Sequence, residues 1–364
     1  NVLRGKNMRT IIISEPGKVA VTENEMPKVK EGEALLKLLY GGICGSDLGT
    51  YRGTFAYASY PRIPGHEFSA QIVEIGENDR GLKPGMIVTC NPYFNCQKCY
   101  SCERGLVNCC ESNETMGAQR DGAFSEYITM PIERIYDGKG LNPKQLALIE
   151  PFCISYHGVS RADVKKGDKV LVIGAGTIGV LAAIAAKAKG GEVYIVDVAE
   201  EKLQYAYETF GLAGMIKNDS EEEFMNRVNE ITGEHHGFDV CIEAVGLPST
   251  FQNCIDAAAY GGRIVLIGVG KKNLDFNFTL IQKKELNIFG SRNALKADFT
   301  ELIDLVKSGE IDLEKIVMNP DSTDVKKKSE YELDEADRAF EEFSKYGGSK
   351  PVSYTHLRAH ETRE

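Results

Sequence analysis

Four cysteines in one short segment form the clearest chemical pattern in the sequence. They are Cys96, Cys99, Cys102 and Cys110, separated by two, two and seven residues. Four thiolates can close a tetrahedron around Zn²⁺ and leave no open coordination position, which is the property of a structural site. Free or redox-active thiols are the alternative, and Cys109 could compete with Cys110 for the fourth place. The pattern predicts a structural zinc lobe at residues 90–115.

A second set of metal-binding residue types is dispersed along the chain. Cys44 and Ser46 lie in GICGSD, His66 and Glu67 lie in GHE, and Glu150 lies far downstream. Each has an ordinary structural explanation when taken singly, since lone cysteines are commonly core residues and lone histidines are commonly satisfied polar groups. Mixed sulfur, nitrogen and oxygen ligands with room for water are typical of catalytic zinc. Spacing alone leaves both explanations open.

A glycine-rich turn separates a strand-like run, KVLVI, from a helical run, VLAAIAAKA. The turn is Gly174-Ala175-Gly176-Thr177-Ile178-Gly179, and Asp197 ends the next strand-like run, EVYIVD. Such glycines let a pyrophosphate approach the N-terminus of the helix, and the aspartate can accept hydrogen bonds from an adenosine ribose. Its charge would repel a 2′-phosphate, so the pattern predicts NAD as the cofactor. A βαβ unit without a nucleotide is the alternative.

The composition is that of an ordinary folded enzyme. The chain has 364 residues, 42% of them hydrophobic and 26% charged, which suggests about two domains. A formal net charge of −10 argues against nucleic acid and anionic membranes as partners. Six of the ten cysteines lie between Cys90 and Cys110, which indicates metal binding and not a disulfide scaffold. We see no secretion signal and expect a cytoplasmic location.

The pattern of elements changes along the chain. Up to Tyr127, short β-like runs alternate with Gly and Pro, which favours a β-rich module. From Gly167, strands alternate with helices, which favours a parallel sheet with KVLVIG, EVYIVD, FDVCIE, RIVLIG and LNIFG as its strands. A helical bridge is predicted around Pro143 to Ala162.

Both ends of the sequence look foreign to the protein. Met8 is the expected start, because the preceding residues fit a ribosome-binding site translated in frame. VSYTHLRAHET resembles a translated sequencing adapter. Residues 1–7 and 352–364 are therefore expected to be non-native.

Together these segments resemble the zinc-dependent medium-chain alcohol dehydrogenases. GGICGSD, GHE, the four-cysteine lobe, GAGTIG and KKELNIFGSR carry the resemblance, and EPFCISYHGVSRA looks most like the polyol, threonine and sugar-acid branch. The family implies an α/β plus β architecture: a GroES-like β-rich catalytic domain at 8–155, completed by 291–350, and a Rossmann doubly wound parallel-sheet domain at 156–290. It implies two zinc ions per subunit, one catalytic and one structural, and a homodimer or homotetramer.

The resemblance also implies an activity and residue roles. The expected reaction is the NAD-dependent oxidation of a secondary alcohol of a polyol or sugar acid to a ketone. Cys44 and His66 would bind the catalytic zinc, Glu67 and Glu150 would be direct or water-mediated partners, and Ser46 would relay the proton. The cofactor-binding residues would be Gly174, Gly176, Thr177, Ile178, Gly179, Asp197, Lys202, Gly246, Ser291 and Arg292. Arg292 could instead meet a substrate carboxylate.

Two positions depart from the family pattern. Gly49 stands where a relay histidine is common, so the outer end of the relay is absent or replaced. Glu150 stands where long-studied members have a third cysteine ligand, and Cys153 could substitute for it. An L-threonine 3-dehydrogenase or another alcohol dehydrogenase is the alternative activity. A non-catalytic zinc- and dinucleotide-binding redox sensor is the alternative class, although its catalytic ligands should be eroded, and here all are present.

Overall fold

The computed structural model describes residues 7–270, 272–316, 330–346 and 356–359. The strands are β1 (Asn7–Glu15), β2 (Lys18–Glu25), β3 (Glu33–Gly42), β4 (Glu67–Ile75), β5 (Ile87–Cys90), β6 (Tyr93–Phe94), β7 (Glu114–Thr115), β8 (Tyr127–Pro131), β9 (Ile135–Asp137), β10 (Lys169–Ile173), β11 (Glu192–Asp197), β12 (Gly214–Lys217), β13 (Phe238–Glu243), β14 (Ala258–Leu266), β15 (Asn287–Gly290), β16 (Glu330–Glu332) and β17 (His356–Arg358). The helices are α1 (Gly45–Arg52), α2 (Tyr100–Glu103), α3 (Pro143–Ala147), α4 (Ile149–Arg161), α5 (Thr177–Ala188), α6 (Glu200–Phe210), α7 (Glu221–Thr232), α8 (Pro248–Ala257), α9 (Thr279–Lys283), α10 (Lys296–Ser308) and α11 (Ala336–Tyr346).

The chain divides into two compact units. The β-rich unit contains the described residues up to Glu150 and those from Leu295 onward, and the Rossmann unit contains Pro151–Ala294. The sequence placed these boundaries a few residues away, at 155 and 291. The first boundary falls inside α4, which runs without interruption from one unit into the other.

The β-rich unit is built on a seven-stranded sheet with the order β16-β17-β3-β4-β5-β9, in which β8 also pairs with β3. β3 and β4 are antiparallel, and Gly42 at the end of β3 pairs with Glu67 at the start of β4. Buried side chains from the strands and from α11 form its core, including Ile11, Leu36 and Phe340. The sheet therefore brings the segment after β3 next to the segment before β4.

The Rossmann unit contains six parallel strands in the order β12-β11-β10-β13-β14-β15. The strand order reverses between β10 and β13, and such a switch point is where ligands bind in doubly wound folds. The sequence identified five of these strands and missed β12. Its four residues, Gly214–Lys217, begin with a glycine and are too short to show a strand pattern.

Part of the C-terminal segment predicted to be non-native forms β17. This strand pairs with β3 and β16, and Leu357 is buried. Strand pairing uses backbone groups, which any sequence other than proline supplies, so β17 is compatible with a foreign origin of this segment. Its foreign origin stays a prediction, and residues 1–6, 352–355 and 360–364 lie outside the described part of the chain.

In the described residues, no helix combines the length and the apolar character needed to cross a lipid bilayer.

Candidate functional site

The four cysteines predicted to bind zinc converge in the β-rich unit. The sulfur atoms of Cys96, Cys99, Cys102 and Cys110 all lie within 4.8 Å of one another. All are free thiols, and Cys109, the alternative fourth ligand, is exposed and lies outside the group. A closed set of four sulfur ligands is the arrangement of a structural zinc site.

Backbone hydrogen bonds to sulfur favour the thiolate form in this cluster, although burial raises the pKa of Cys110 to about 11. The backbone N–H of Cys96 donates to Cys110 Sγ at 3.2 Å, and the N–H of Cys99 donates to Cys96 Sγ at 3.3 Å. A backbone hydrogen bond from Glu111, followed by one from Cys102, lowers the pKa of Cys99 to about 6. Donors aimed at sulfur stabilise the charged form that binds metal, so the residues present fit zinc.

The dispersed residues also converge. Ligand atoms of Cys44, His66 and Glu67 lie within 4.8 Å of one another. Cys44 follows β3 and His66 precedes β4, and the pairing of Gly42 with Glu67 brings the two segments together. One thiol, one imidazole and one carboxylate provide three ligands of mixed type, which is the composition expected of a catalytic metal site with an open position.

Asp47 joins the two segments, a role that the sequence reasoning missed. Its carboxylate accepts the backbone N–H of Cys44 at 2.9 Å and the backbone N–H of Gly65 at 3.0 Å. Asp47 is fully buried, and one of its oxygens lies 4.0 Å from His66 Nδ1. Its position in the first turn of α1, three residues after the cap Cys44, was the available signal.

The loop before His66 requires glycine. Gly65 has a φ of +99°, and a Cβ atom there would lie 2.7 Å from Cγ of Phe124. A Cβ on Gly117 would lie 2.7 Å from the backbone nitrogen of Gly65. Close packing of these segments therefore fixes the backbone that carries His66.

The electrostatics of the cluster favour a bound cation. Burial, followed by the nearby Asp47 carboxylate, raises the pKa of Cys44 to about 11, and burial raises the pKa of Glu67 well above its ordinary value. Burial lowers the pKa of His66, yet the surrounding carboxylates, Asp47 first, raise it above its ordinary value. His66 Nδ1 is buried and has no hydrogen-bond partner among the described residues. Buried acids around an unpartnered imidazole nitrogen fit a divalent metal ion.

Glu150 is not in this ligand group. Its carboxylate is buried and accepts a hydrogen bond from the hydroxyl of Tyr93, a residue that sequence reasoning did not single out. Burial raises the pKa of Glu150. Cys153, the suggested substitute, is also outside the group.

The structure places Ser46 beside the candidate ligands. A hydrogen bond with its side chain lowers the pKa of Cys44, partly offsetting burial. At Gly49, where the family commonly has a relay histidine, a Cβ atom would lie 3.1 Å from Cβ of Phe55. Phe55 therefore lies next to this position and would have to shift by a few tenths of an ångström to admit a Cβ atom there.

The glycine-rich turn of the Rossmann unit lies between β10 and α5. Gly174 has a φ of +110°, and a Cβ atom on Gly179 would lie 2.8 Å from the carbonyl carbon of Gly174. A Cβ on Gly176 would meet no described atom within 4 Å, and no side chain caps α5. The hydroxyl of Ser155 donates to the carbonyl oxygen of Ile178 at 2.8 Å. The turn is compact, and open space lies in front of Gly176, as a dinucleotide pyrophosphate requires.

The other predicted cofactor residues follow β11 and β15 of the Rossmann sheet or lie on α6. Asp197, at the end of β11, accepts the N–H groups of Ala175 at 2.8 Å and Ala199 at 2.9 Å. Asp197 therefore lies against the glycine-rich turn. Lys202 is half-buried on α6, and Ser291 and the exposed Arg292 follow β15.

Gly246 lies in the loop after β13 and has a φ of +83°. Buried Glu243 accepts the N–H groups of Val245 at 2.9 Å and Gly246 at 2.8 Å, a loop support that sequence reasoning missed. A Cβ on Gly246 would lie 2.7 Å from the carbonyl carbon of Val269. The loop therefore has a fixed shape that only glycine fits.

Comparison with known proteins identifies the family. The model of the alcohol dehydrogenase GroES-like domain matches residues 30–139, and that of the zinc-binding dehydrogenase matches residues 177–308. The L-galactonate-5-dehydrogenase of Escherichia coli K12 is 36% identical over 304 residues, which cover 84% of this chain and 88% of that relative. This chain belongs to the zinc-dependent medium-chain alcohol dehydrogenases.

Further relatives agree with this assignment. The sorbitol dehydrogenase of Halalkalibacterium halodurans is 32% identical over 329 residues, which cover 89% of this chain and 92% of that relative. A protein of E. coli CFT073 described as a short chain alcohol dehydrogenase, solved in complex with NADH, superimposes with a TM-score of 0.86 at 28% identity. The superposition covers 97% of this chain and 100% of that chain. The predicted family, its polyol and sugar-acid branch, the fold class and the enzyme class are confirmed. The two clusters of this dehydrogenase fit one structural and one catalytic zinc.

Proposed function

We propose that this dehydrogenase oxidises a secondary alcohol of a polyol or sugar acid to a ketone, with NAD as the hydride acceptor. The observation that carries the proposal is the mixed ligand group of Cys44, His66 and Glu67. A carboxylate ligand makes a harder and more polar metal site than a further thiolate would. Such a site suits a polyhydroxylated substrate that can chelate through two oxygens. The relatives named for L-galactonate and sorbitol support the same substrate class.

The residues of the site have different roles in the proposed reaction. A zinc ion held there would supply the Lewis acid that polarises the substrate hydroxyl, and a bound nicotinamide would supply the hydride acceptor. Cys44, His66 and Glu67 would hold the metal, and Asp47 binds the backbone N–H groups of Cys44 and of Gly65, the residue before His66. The hydroxyl of Ser46, next to Cys44, relays the proton that the substrate hydroxyl loses: it accepts that proton while it passes its own proton onward. Because Gly49 has no side chain to receive that proton, solvent or another group must carry it onward.

The preference for NAD is supported by Asp197. Its carboxylate is held by two backbone N–H groups, so its negative charge is fixed where the ribose of a dinucleotide binds in this fold. No arginine follows in Val198 to Glu201 to hold a 2′-phosphate. Lys202 is the nearest basic residue along the chain and is proposed to assist Asp197 at the ribose.

A substrate panel tests this function. Hexitols, hexonates, threonine and ethanol would be assayed with NAD by the absorbance of NADH. We expect the highest catalytic efficiency with a hexitol or hexonate. Ethanol as the best substrate would contradict the proposal, and threonine outperforming every sugar derivative would support the threonine 3-dehydrogenase alternative. The homodimer or homotetramer and the cytoplasmic location stay predictions, and light scattering on the purified protein would measure the former.

A further inference from the structure

Tyr93 links the segment that carries the four cysteines to Glu150. It lies on β6, three residues before Cys96, and its side chain is buried. Its hydroxyl donates a hydrogen bond to Glu150, the buried carboxylate that lies outside the ligand group of Cys44, His66 and Glu67. One residue thus reaches from the base of the four-cysteine lobe to a carboxylate of the candidate catalytic centre.

The lobe fixes the backbone that carries Tyr93. The buried guanidinium of Arg134 donates to the carbonyl oxygen of Tyr93 and, at 3.0 Å, to the side-chain oxygen of Asn95. The side-chain nitrogen of Asn95 in turn donates to Cys102 Sγ at 3.5 Å. Arg134 also lies over the ring of Phe94, 4.4 Å from its centroid. The backbone is therefore held at Tyr93 itself and at the two residues that follow it, and Asn95 ties this segment to the cysteine cluster.

An unrestrained Glu150 would be a competing metal ligand. A buried carboxylate without a hydrogen-bond donor is unfavourable, and carboxylate oxygen binds zinc well. The hydroxyl of Tyr93 satisfies one of its oxygens and holds it toward β6. Occupation of the fourth coordination position by Glu150 would exclude a substrate oxygen.

We propose that Tyr93 is a positioning residue: anchored to the four-cysteine lobe through Arg134 and Asn95, its hydroxyl holds Glu150 apart from Cys44, His66 and Glu67. The fourth coordination position of the catalytic metal thereby stays open. The lobe then has a second role beyond local stability, because it sets the position of a carboxylate at the catalytic centre. This inference rests on the catalytic metal site of the proposed function and is independent of the substrate assigned to it.

The test is binding of an external ligand to the cobalt-substituted enzyme. Azide would be titrated into the full-length protein and followed by the visible absorption of Co²⁺. Tyr93→Phe removes a hydrogen bond to a charged group, and we expect the dissociation constant of azide to rise about tenfold or more as Glu150 competes for the metal. In the double variant Tyr93→Phe with Glu150→Gln, azide binding should return to within about threefold of wild type, because an amide is a poor competitor.

Tyr331→Phe is the matched control. Tyr331 is buried in the same unit and also donates to a carboxylate, that of Glu342, which belongs to neither cluster. Tyr331→Phe should leave azide binding unchanged. Tyr93→Phe and Tyr331→Phe should both retain two metal ions per chain. If Tyr93→Phe does not fold, Arg134→Gln repeats the test, because it removes the hydrogen bonds that hold β6. Arg134→Gln should raise the dissociation constant of azide, and the added Glu150→Gln should restore it.

Two results would overturn the inference. One is wild-type azide affinity in folded, metal-loaded Tyr93→Phe or in its Arg134→Gln replacement. The other is a weakened affinity that Glu150→Gln fails to restore, which would show that the phenol acts by another route. Neither result depends on the substrate panel, so failure of the substrate assignment would be seen separately.

Discussion

Two glycines of the dinucleotide turn should respond to alanine in different ways. Gly179 is the third residue of α5, and its added Cβ would lie 2.8 Å from the carbonyl carbon of Gly174 and inside the radius of its oxygen. Ordinary contacts of a Cβ atom begin at 3.4 Å, and the obstacle here is backbone, which cannot rotate away. Gly176 caps the same helix with a φ of −78°, and its added Cβ would meet nothing within 4 Å.

The expected stability changes follow from these contacts. Overpacking against backbone destabilises by about 3 kcal/mol at the upper end. Alanine has a higher helix propensity than glycine, which stabilises the helix by about 1 kcal/mol. The unfolding free energy of Gly179→Ala should therefore be about 2 kcal/mol lower than that of the wild type. Each kcal/mol corresponds to about 2–4 °C in a unit of this size, so the Tm should fall by about 4–8 °C. Gly176→Ala loses at most about 1 kcal/mol, the cost of alanine as a helix cap, and should lower the Tm by less than about 4 °C.

Gly176→Ala should weaken cofactor binding strongly although it lowers the stability only slightly. The methyl group of Gly176→Ala would occupy the open space in front of α5, and we expect the dissociation constant of NADH to rise about tenfold or more. Thermal unfolding and NADH fluorescence titration measure the two effects. Gly76→Ala in the β-rich unit, where the added Cβ also meets nothing within 4 Å, should change neither. Wild-type NADH affinity in Gly176→Ala, or a wild-type Tm in Gly179→Ala, would refute the assignment of the turn.

Four further predictions concern the site. Zinc content should be about two ions per chain and fall to about one in Cys44→Ala, and a content near one that this variant leaves unchanged would contradict the catalytic assignment. Ser46→Ala should lower turnover about a hundredfold or more with zinc retained, so near-normal turnover across the pH range would show that another group carries the proton. Catalytic efficiency should be higher with NAD than with NADP, because Asp197 repels the 2′-phosphate, and equal efficiencies would contradict this. Arg292→Lys should raise KM for a hexonate more than for a neutral polyol, since lysine loses the bidentate carboxylate contact, and equal changes would argue for a cofactor contact instead.

Features encoded within a short stretch of sequence could be predicted from the sequence alone. The four cysteines fall within fifteen consecutive residues, so their spacing alone implied one cluster, and the structure brings them together. The glycine-rich turn was equally local, because a strand, a turn and a helix follow one another without interruption. In contrast, β12 was missed because four residues beginning with glycine carry too little periodicity.

Contacts between distant segments could not be predicted from local sequence patterns. Whether Glu67 or Glu150 joins Cys44 and His66 depends on strand register, and the pairing of Gly42 with Glu67 is set by β3 and β4 together. Once that register is fixed, Glu67 must lie beside the segment that carries Cys44, and it takes its place in the ligand group. Glu150 arrives from the start of α4, and its partner Tyr93 precedes it by more than fifty residues. No local pattern links a tyrosine before a cysteine lobe to a glutamate at a helix start. That Glu67 and not Glu150 lies in one group with Cys44 and His66 is therefore a property of the folded sheet and not of either motif.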